Sequence, residues 1–154
     1  MLGGELLLTS VIDVIRALSN LIEKEYPNYP IVDYDVDEDY PRPCYFIETE
    51  SVKTQWVAVD YIEELSDLQI VFFAEDRYEG FLDLLEMKNH LTQLFNEPLE
   101  LDNGYFVSLL ETTSELFKGD KVLEFSFQVS IVNQIERNET DYLMEDLDYH
   151  KEVH

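Results

Sequence analysis

Apolar residues recur every three or four positions across Thr9–Glu25, where Val11, Val14, Ile15, Leu18, Leu21 and Ile22 fall on one side. That spacing predicts an amphipathic helix. Thr9 or Ser10 can cap its first turn, Asp13 suits the positive end of its dipole, and Tyr26-Pro27 ends it. A second helix is predicted from about Tyr78 to Asn96, with Phe81, Leu84, Leu85, Leu91, Leu94 and Phe95 as its buried stripe and Pro98 at the exit. Between the helices the period shortens to two, the signature of strands. A short strand is expected at Ile31–Val36, and three more at Cys44–Ser51, Gln55–Ile62 and Leu68–Ala74. Cys44–Ser51 has no clean polar face and therefore reads as a central strand covered on both sides. The unbroken apolar run Ile70–Phe73 marks Leu68–Ala74 as the most buried strand. Phe46, Phe72, Phe127 and Leu85 are the expected core.

Two hairpins follow the second helix. Leu99–Leu101 and Tyr105–Leu110 flank Asp102-Asn103-Gly104, where Asn-Gly is expected to supply the positive φ angles of a tight turn. Lys118-Gly119-Asp120 joins Tyr105–Phe117 to Val122–Ile135, in which Leu123, Phe125, Phe127, Val129 and Ile131 alternate with Glu124, Ser126, Gln128 and Ser130. Such alternation describes a strand with one wet face. The resulting fold class is α+β: a mainly antiparallel sheet with an N-terminal helix and a central helix packed on one face. Residues 1–136 read as a single domain. Residues 137–154 read as an acidic C-terminal tail, frayed or forming a short docking helix through Tyr142, Leu143, Leu147 and Tyr149.

Charge changes the picture most. The 154 residues include 34 acidic and 10 basic side chains, a formal net charge of −24. A chain with this field is a poor match for a nucleic-acid backbone, whose binding requires Lys and Arg to displace counterions. With 45% apolar and 13% aromatic residues it is nevertheless too rich in core formers for a disordered acidic chain. The single cysteine, Cys44, lies in a predicted strand and reads as a small buried hydrophobe rather than a reactive thiol. Leu6-Leu7-Leu8 is too short for a signal peptide's apolar core, and no run approaches a membrane span, so no membrane partner is expected.

Candidate chemistry is sparse. Asp33-Tyr34-Asp35-Val36-Asp37 opens like a calcium loop, but Glu38 and Cys44 stand where such a loop needs glycine and a bidentate glutamate. His90 has no second ligand at metal spacing and reads as a surface histidine, and the other two histidines, His150 and His154, lie in the tail. No nucleophile elbow, phosphate loop, dinucleotide fingerprint or zinc motif occurs. The expectation is a protein without enzymatic activity, cofactor or metal. The polar links Asp33–Arg42 and Glu48–Thr54 are long for hairpin connections, which makes them candidate partner surfaces.

Arg42-Pro43-Cys44-Tyr45-Phe46-Ile47-Glu48 carries a resemblance. Together with Thr9–Glu25, Leu68–Phe73 and Glu79–Phe95, it is similar to the phage tail terminator family of tailed phages and prophages of Gram-positive bacteria. The likeness runs from Thr9 to Glu136. It implies a virion protein of the tail neck, assembled in the bacterial cytoplasm, that forms a homohexameric ring on the head-proximal end of the tail tube. There it would stop polymerisation of the major tail tube protein and offer a surface to the head-completion or connector protein. DNA would pass through such a ring without being held, and an acidic lumen would favour that. Asp33, Asp35, Asp37 and Trp56 are the partner-interface residues this reading selects, Trp56 as an apolar contact in ring closure. The alternatives are another neck or head–tail completion protein, or an acidic DNA mimic that inhibits a DNA-binding enzyme.

Overall fold

The computed structural model describes residues 8–32, 41–76 and 80–135. Helix α1 spans Val11–Glu25 and is capped by Ser10. The Ser10 hydroxyl accepts from the Ile12 N–H at 3.3 Å, and the Ser10 N–H donates to Asp13 Oδ2 at 2.9 Å. Two donors that the first turn would leave unpaired are thereby satisfied. Strands β1 (Cys44–Ala58) and β2 (Tyr61–Phe73) form one long hairpin, and α2 covers Phe81–Leu94. Two short strands, β3 (Leu99–Glu100) and β4 (Phe106–Val107), pair with each other. Strands β5 (Leu110–Phe117) and β6 (Val122–Gln134) complete a four-stranded antiparallel sheet in the order β1-β2-β6-β5. The fold is thus α+β, with the N-terminal and central helices both present.

Register decides which side of the sheet is dry. Leu68, Ile70 and Phe72 of β2 stand opposite Phe127, Phe125 and Leu123 of β6, and all six side chains are buried. Val14, Leu18 and Ile22 of α1 and Leu84 and Leu91 of α2 join them in one core. Phe95, just beyond α2, meets Phe125 edge-on with ring centroids 5.6 Å apart, and Tyr45 stacks on Phe72 at 5.7 Å. Polar side chains lock α1 to the far end of the sheet. Glu64 accepts the Val11 N–H at 2.7 Å, while Asn133 accepts from the Thr9 N–H at 3.1 Å and donates to its carbonyl at 2.8 Å.

Several expectations are corrected. The stretch Arg42–Ala74 holds two strands, not three: the predicted strand Gln55–Ile62 straddles the turn at Val59–Asp60, and the expected link Glu48–Thr54 is itself strand. β1 is an edge strand rather than a central one. Its first residues lack a polar face because Tyr45 and Ile47 point to the core while Phe46 lies on the opposite face, 5.8 Å from Phe73. Phe46 is therefore only half-buried, as is Leu85, whose neighbours Leu84 and Met87 take the buried positions on α2. Ile31 makes a single parallel bridge to Tyr45, and the rest of the expected strand Ile31–Val36 lies outside the described residues. At the first hairpin Gly104 alone has positive φ, at 86°, and Asn103 instead uses its side-chain oxygen to accept the Tyr105 N–H at 3.0 Å. The predicted strand Tyr105–Phe117 is broken between β4 and β5. Residues 137–154 lie outside the described part.

Phe72 is fully buried between Tyr45 and Tyr29, so Phe72→Ala is expected to cost about 3–5 kcal/mol in chemical denaturation. Ser66 is the opposite case. It is fully buried on the core face between Val52 and Val129, and among the described residues its hydroxyl has no hydrogen-bond partner. A buried, unsatisfied hydroxyl costs about 1–3 kcal/mol, so Ser66→Ala should raise the unfolding free energy by about 1 kcal/mol. A loss of stability in the alanine variant would show that the hydroxyl is in fact bonded.

Candidate interaction surface

The sheet face turned away from the helices is open, and its side chains form hydrogen-bonded rows across the strands. Glu63 accepts from Ser130 at 2.5 Å and from Gln55 at 2.9 Å, and these two donors hold its carboxyl below the usual range. Asp67 accepts from Ser51 at 2.7 Å and from Gln128 at 3.2 Å, and Gln69 donates to Glu124 and Ser126. Toward the β5 edge the charges are less well matched. Glu115 stands directly opposite Glu124. Partial burial raises the Glu124 carboxyl, and the charges of Glu115, Glu50 and Glu48 push it further up. The end of this face near Arg42 is mixed: Phe46, Val71, Phe73 and Val122 line a shallow groove of about 360 Å³ together with Glu48, Asp120 and Glu124, with the Arg42 guanidinium 5.2 Å from the Phe73 ring centre.

A broader cleft of about 1130 Å³ lies at the same end, between α2 and the segments that follow α1 and β2, lined by Tyr26, Tyr29, Arg42, Asp83 and His90 among others. His90 is more engaged than a surface histidine. Its Nδ1 is 2.6 Å from the Tyr26 hydroxyl and its Nε2 is 3.5 Å from Glu25. Burial first, then the Glu25 charge and Tyr29, push the Tyr26 hydroxyl up to about 12, so at neutral pH it stays protonated and shares a hydrogen bond with the imidazole. The arrangement braces the C-terminal end of α1 against α2. Tyr26, held neutral, is no base or nucleophile, and among the described residues no group of three or more His, Cys, Asp or Glu is placed to hold a metal. Cys44 is buried and its thiol is pushed up by that burial, with Arg42 opposing the shift, the environment of an inert rather than a reactive thiol.

Of the residues selected from the sequence, Trp56 is on β1 opposite Ile62 and is half exposed at 49%. Asp33, Asp35 and Asp37 lie outside the described residues. The sequence pattern missed the neighbours of Trp56. Val52, Val57, Val59 and Tyr61 are also exposed on the far half of the hairpin, with Ile12 and Val132 on the elements bonded to that end of the sheet. All of Ser51–Val59 is exposed, and it contains no acidic residue and one base, Lys53. The nine-residue gap between Glu50 and Asp60 does not stand out in the sequence, since Met87–Asn96 and Phe125–Ile135 are longer runs without an acid; exposure along its whole length sets it apart.

No curated protein matches the chain. Among the described residues no helix is long and apolar enough to cross a membrane. A family model described as "Phage tail terminator protein" matches residues 13–141, from α1 through the whole sheet. The chain belongs to the phage tail terminator family and is a structural component of the phage tail.

Proposed function

We propose that the protein closes the head-proximal end of the tail tube as a homohexameric ring. In that position it ends polymerisation of the major tail tube protein and presents a surface to the head-completion or connector protein. The observation that carries this reading is the family match across 13–141. The electrostatics agree with it: at −24 per chain, a ring would let DNA slide through its lumen without being held. Asp33, Asp35 and Asp37 are the proposed contact with the head-side partner, and the exposed apolar end of the hairpin around Trp56 is proposed to serve assembly.

Loss of the gene should leave tubes of unregulated length that do not join heads, visible by negative-stain microscopy of lysates. Tubes of normal length that join heads would refute the reading. Charge reversal at both Asp35 and Asp37 should leave the thermal transition unchanged while lowering the yield of joined particles, and a normal yield would remove these residues from the interface.

Assembly should depend on salt. Six chains of −24 repel one another at ring density, and apolar contact has to outweigh that repulsion. Screening shortens from about 30 Å at 0.01 M salt to about 10 Å at 0.1 M. Sedimentation velocity is expected to show mostly monomer at low salt and more hexamer as salt or magnesium rises. A hexamer that falls apart with added salt would show that attractive ion pairs dominate its interfaces.

A further inference from the structure

The four-stranded sheet ends in two open edges, and their geometries are complementary. Among the described residues, only Pro30–Val32 lies along the outer side of β1, bonded at Tyr45, and no strand pairs outside β5. Strand direction alternates through β1-β2-β6-β5, so the two edges run antiparallel to each other. A copy related by rotation can therefore bring its β5 against β1 and continue the antiparallel ladder. In doing so it keeps the helix-covered faces of both copies on the same side.

Register narrows the contact further. Tyr45 sends both its N–H and C=O outward, to Pro30 and Val32. Counting on through the extra residue of the bulge between Thr49 and Ser51, the outward pairs on β1 are those of Val52 and Thr54. The same alternation carried across the sheet leaves Ser114 and Leu116 outward on β5. Irregularities bound both edges, at Thr49–Ser51 and Trp56–Ala58 on one and at Leu110–Thr113 on the other. The regular windows are short and of similar length.

We propose that the Val52–Gln55 edge of β1 pairs with the Thr113–Leu116 edge of β5 in a second copy of the chain, placing Lys53 across from the neighbour's Glu115. This rests on the ring reading above and names the surface that joins its subunits. In that register Val52 meets Leu116 and Thr54 meets Ser114 on the helix-bearing face, and Lys53 meets Glu115 on the open face. A shift of two residues either way puts Lys53 against Thr113 or Phe117 and loses the charge match. Lys53 is the only base between Arg42 and Arg77, and Glu115 is the carboxylate that faces Glu124 within its own subunit. A neighbour's ammonium offsets that like-charge pair. Ser51–Val59 is exposed and carries no acid of its own, which lessens the local repulsion between two chains of −24.

Lys53 and Glu115 would form a narrow, non-hydrogen-bonded antiparallel pair, with Cα atoms about 4.5 Å apart, within reach of a disulfide. The test is the double variant Lys53→Cys with Glu115→Cys under mild oxidation, with each single variant as control. A ladder of covalent oligomers up to the ring is expected from the double variant only. Thr54→Pro is the companion, because it removes an outward N–H that the hairpin itself does not use. Its melting temperature as a monomer should be unchanged, while the association constant falls at least about tenfold. A wild-type ring that forms with neither a disulfide ladder nor a Thr54→Pro effect overturns this edge pairing and leaves the ring standing. A wild-type chain that stays monomeric at all salt concentrations, with tubes still correctly terminated in the phage, overturns both.

Discussion

The dry face of β2 is the constraint on which the fold depends. Leu68, Ile70 and Phe72 can be buried together only if β1 and β6 flank β2 in register and both helices lie on the same side. A one-residue slip would turn Asp67, Gln69 and Phe73 inward and leave carboxylate and amide groups without water. The polar rows on the other face reinforce the same register. Ser51, Asp67 and Gln128 bond across three strands, as do Gln55, Glu63 and Ser130. Both faces therefore select one alignment, for opposite reasons.

A chain of −24 must also place its acids where folding tolerates them. Some are given donors: Glu64 holds the first turn of α1, Asp13 closes its cap, and Glu63 and Asp67 accept side-chain hydrogen bonds. Others are left in partial conflict, as at Glu115 and Glu124. The local pairs are short-range, so they remain when salt screens the longer-range repulsion. Stability comes from the aromatic and aliphatic core, not from ion pairing. The charged contacts among the described residues, Arg16–Asp13 at 3.7 Å and, when the imidazole is protonated, His90–Glu25 at 3.5 Å, are partly exposed and contribute little.

What could be read from the sequence follows from how much of each element is buried. α1 and β6, each with one dry and one wet side, were legible almost to the residue, since a half-buried element writes its period into the chain. β1 was misread for the converse reason. From Ser51 onward neither of its faces is covered, so polar residues run on without alternation and imitate a loop. The turn at Val59–Asp60 has no glycine, proline or asparagine to announce it. Trp56 was selected through the family resemblance as an apolar contact, while the exposed residues around it became visible only when β1, β2 and β6 were placed side by side.

The long edge of β1 would ordinarily be a hazard, because an exposed strand invites any other strand to pair with it. Here the invitation is limited. Bulges near Glu50 and Val57 interrupt the ladder at both ends, and Lys53 sits between them as a charge that an acidic partner can engage. The net charge of −24 opposes unspecific stacking of like copies. An edge so bounded admits few registers, and among copies of this chain it favours the one that opposes Lys53 with a carboxylate. In the proposed pairing the net charge and Lys53 act together: the first keeps subunits apart in most orientations, and the second lowers the barrier in one. In the proposed ring, such a balance would favour a closed assembly with a defined interface over open-ended aggregation.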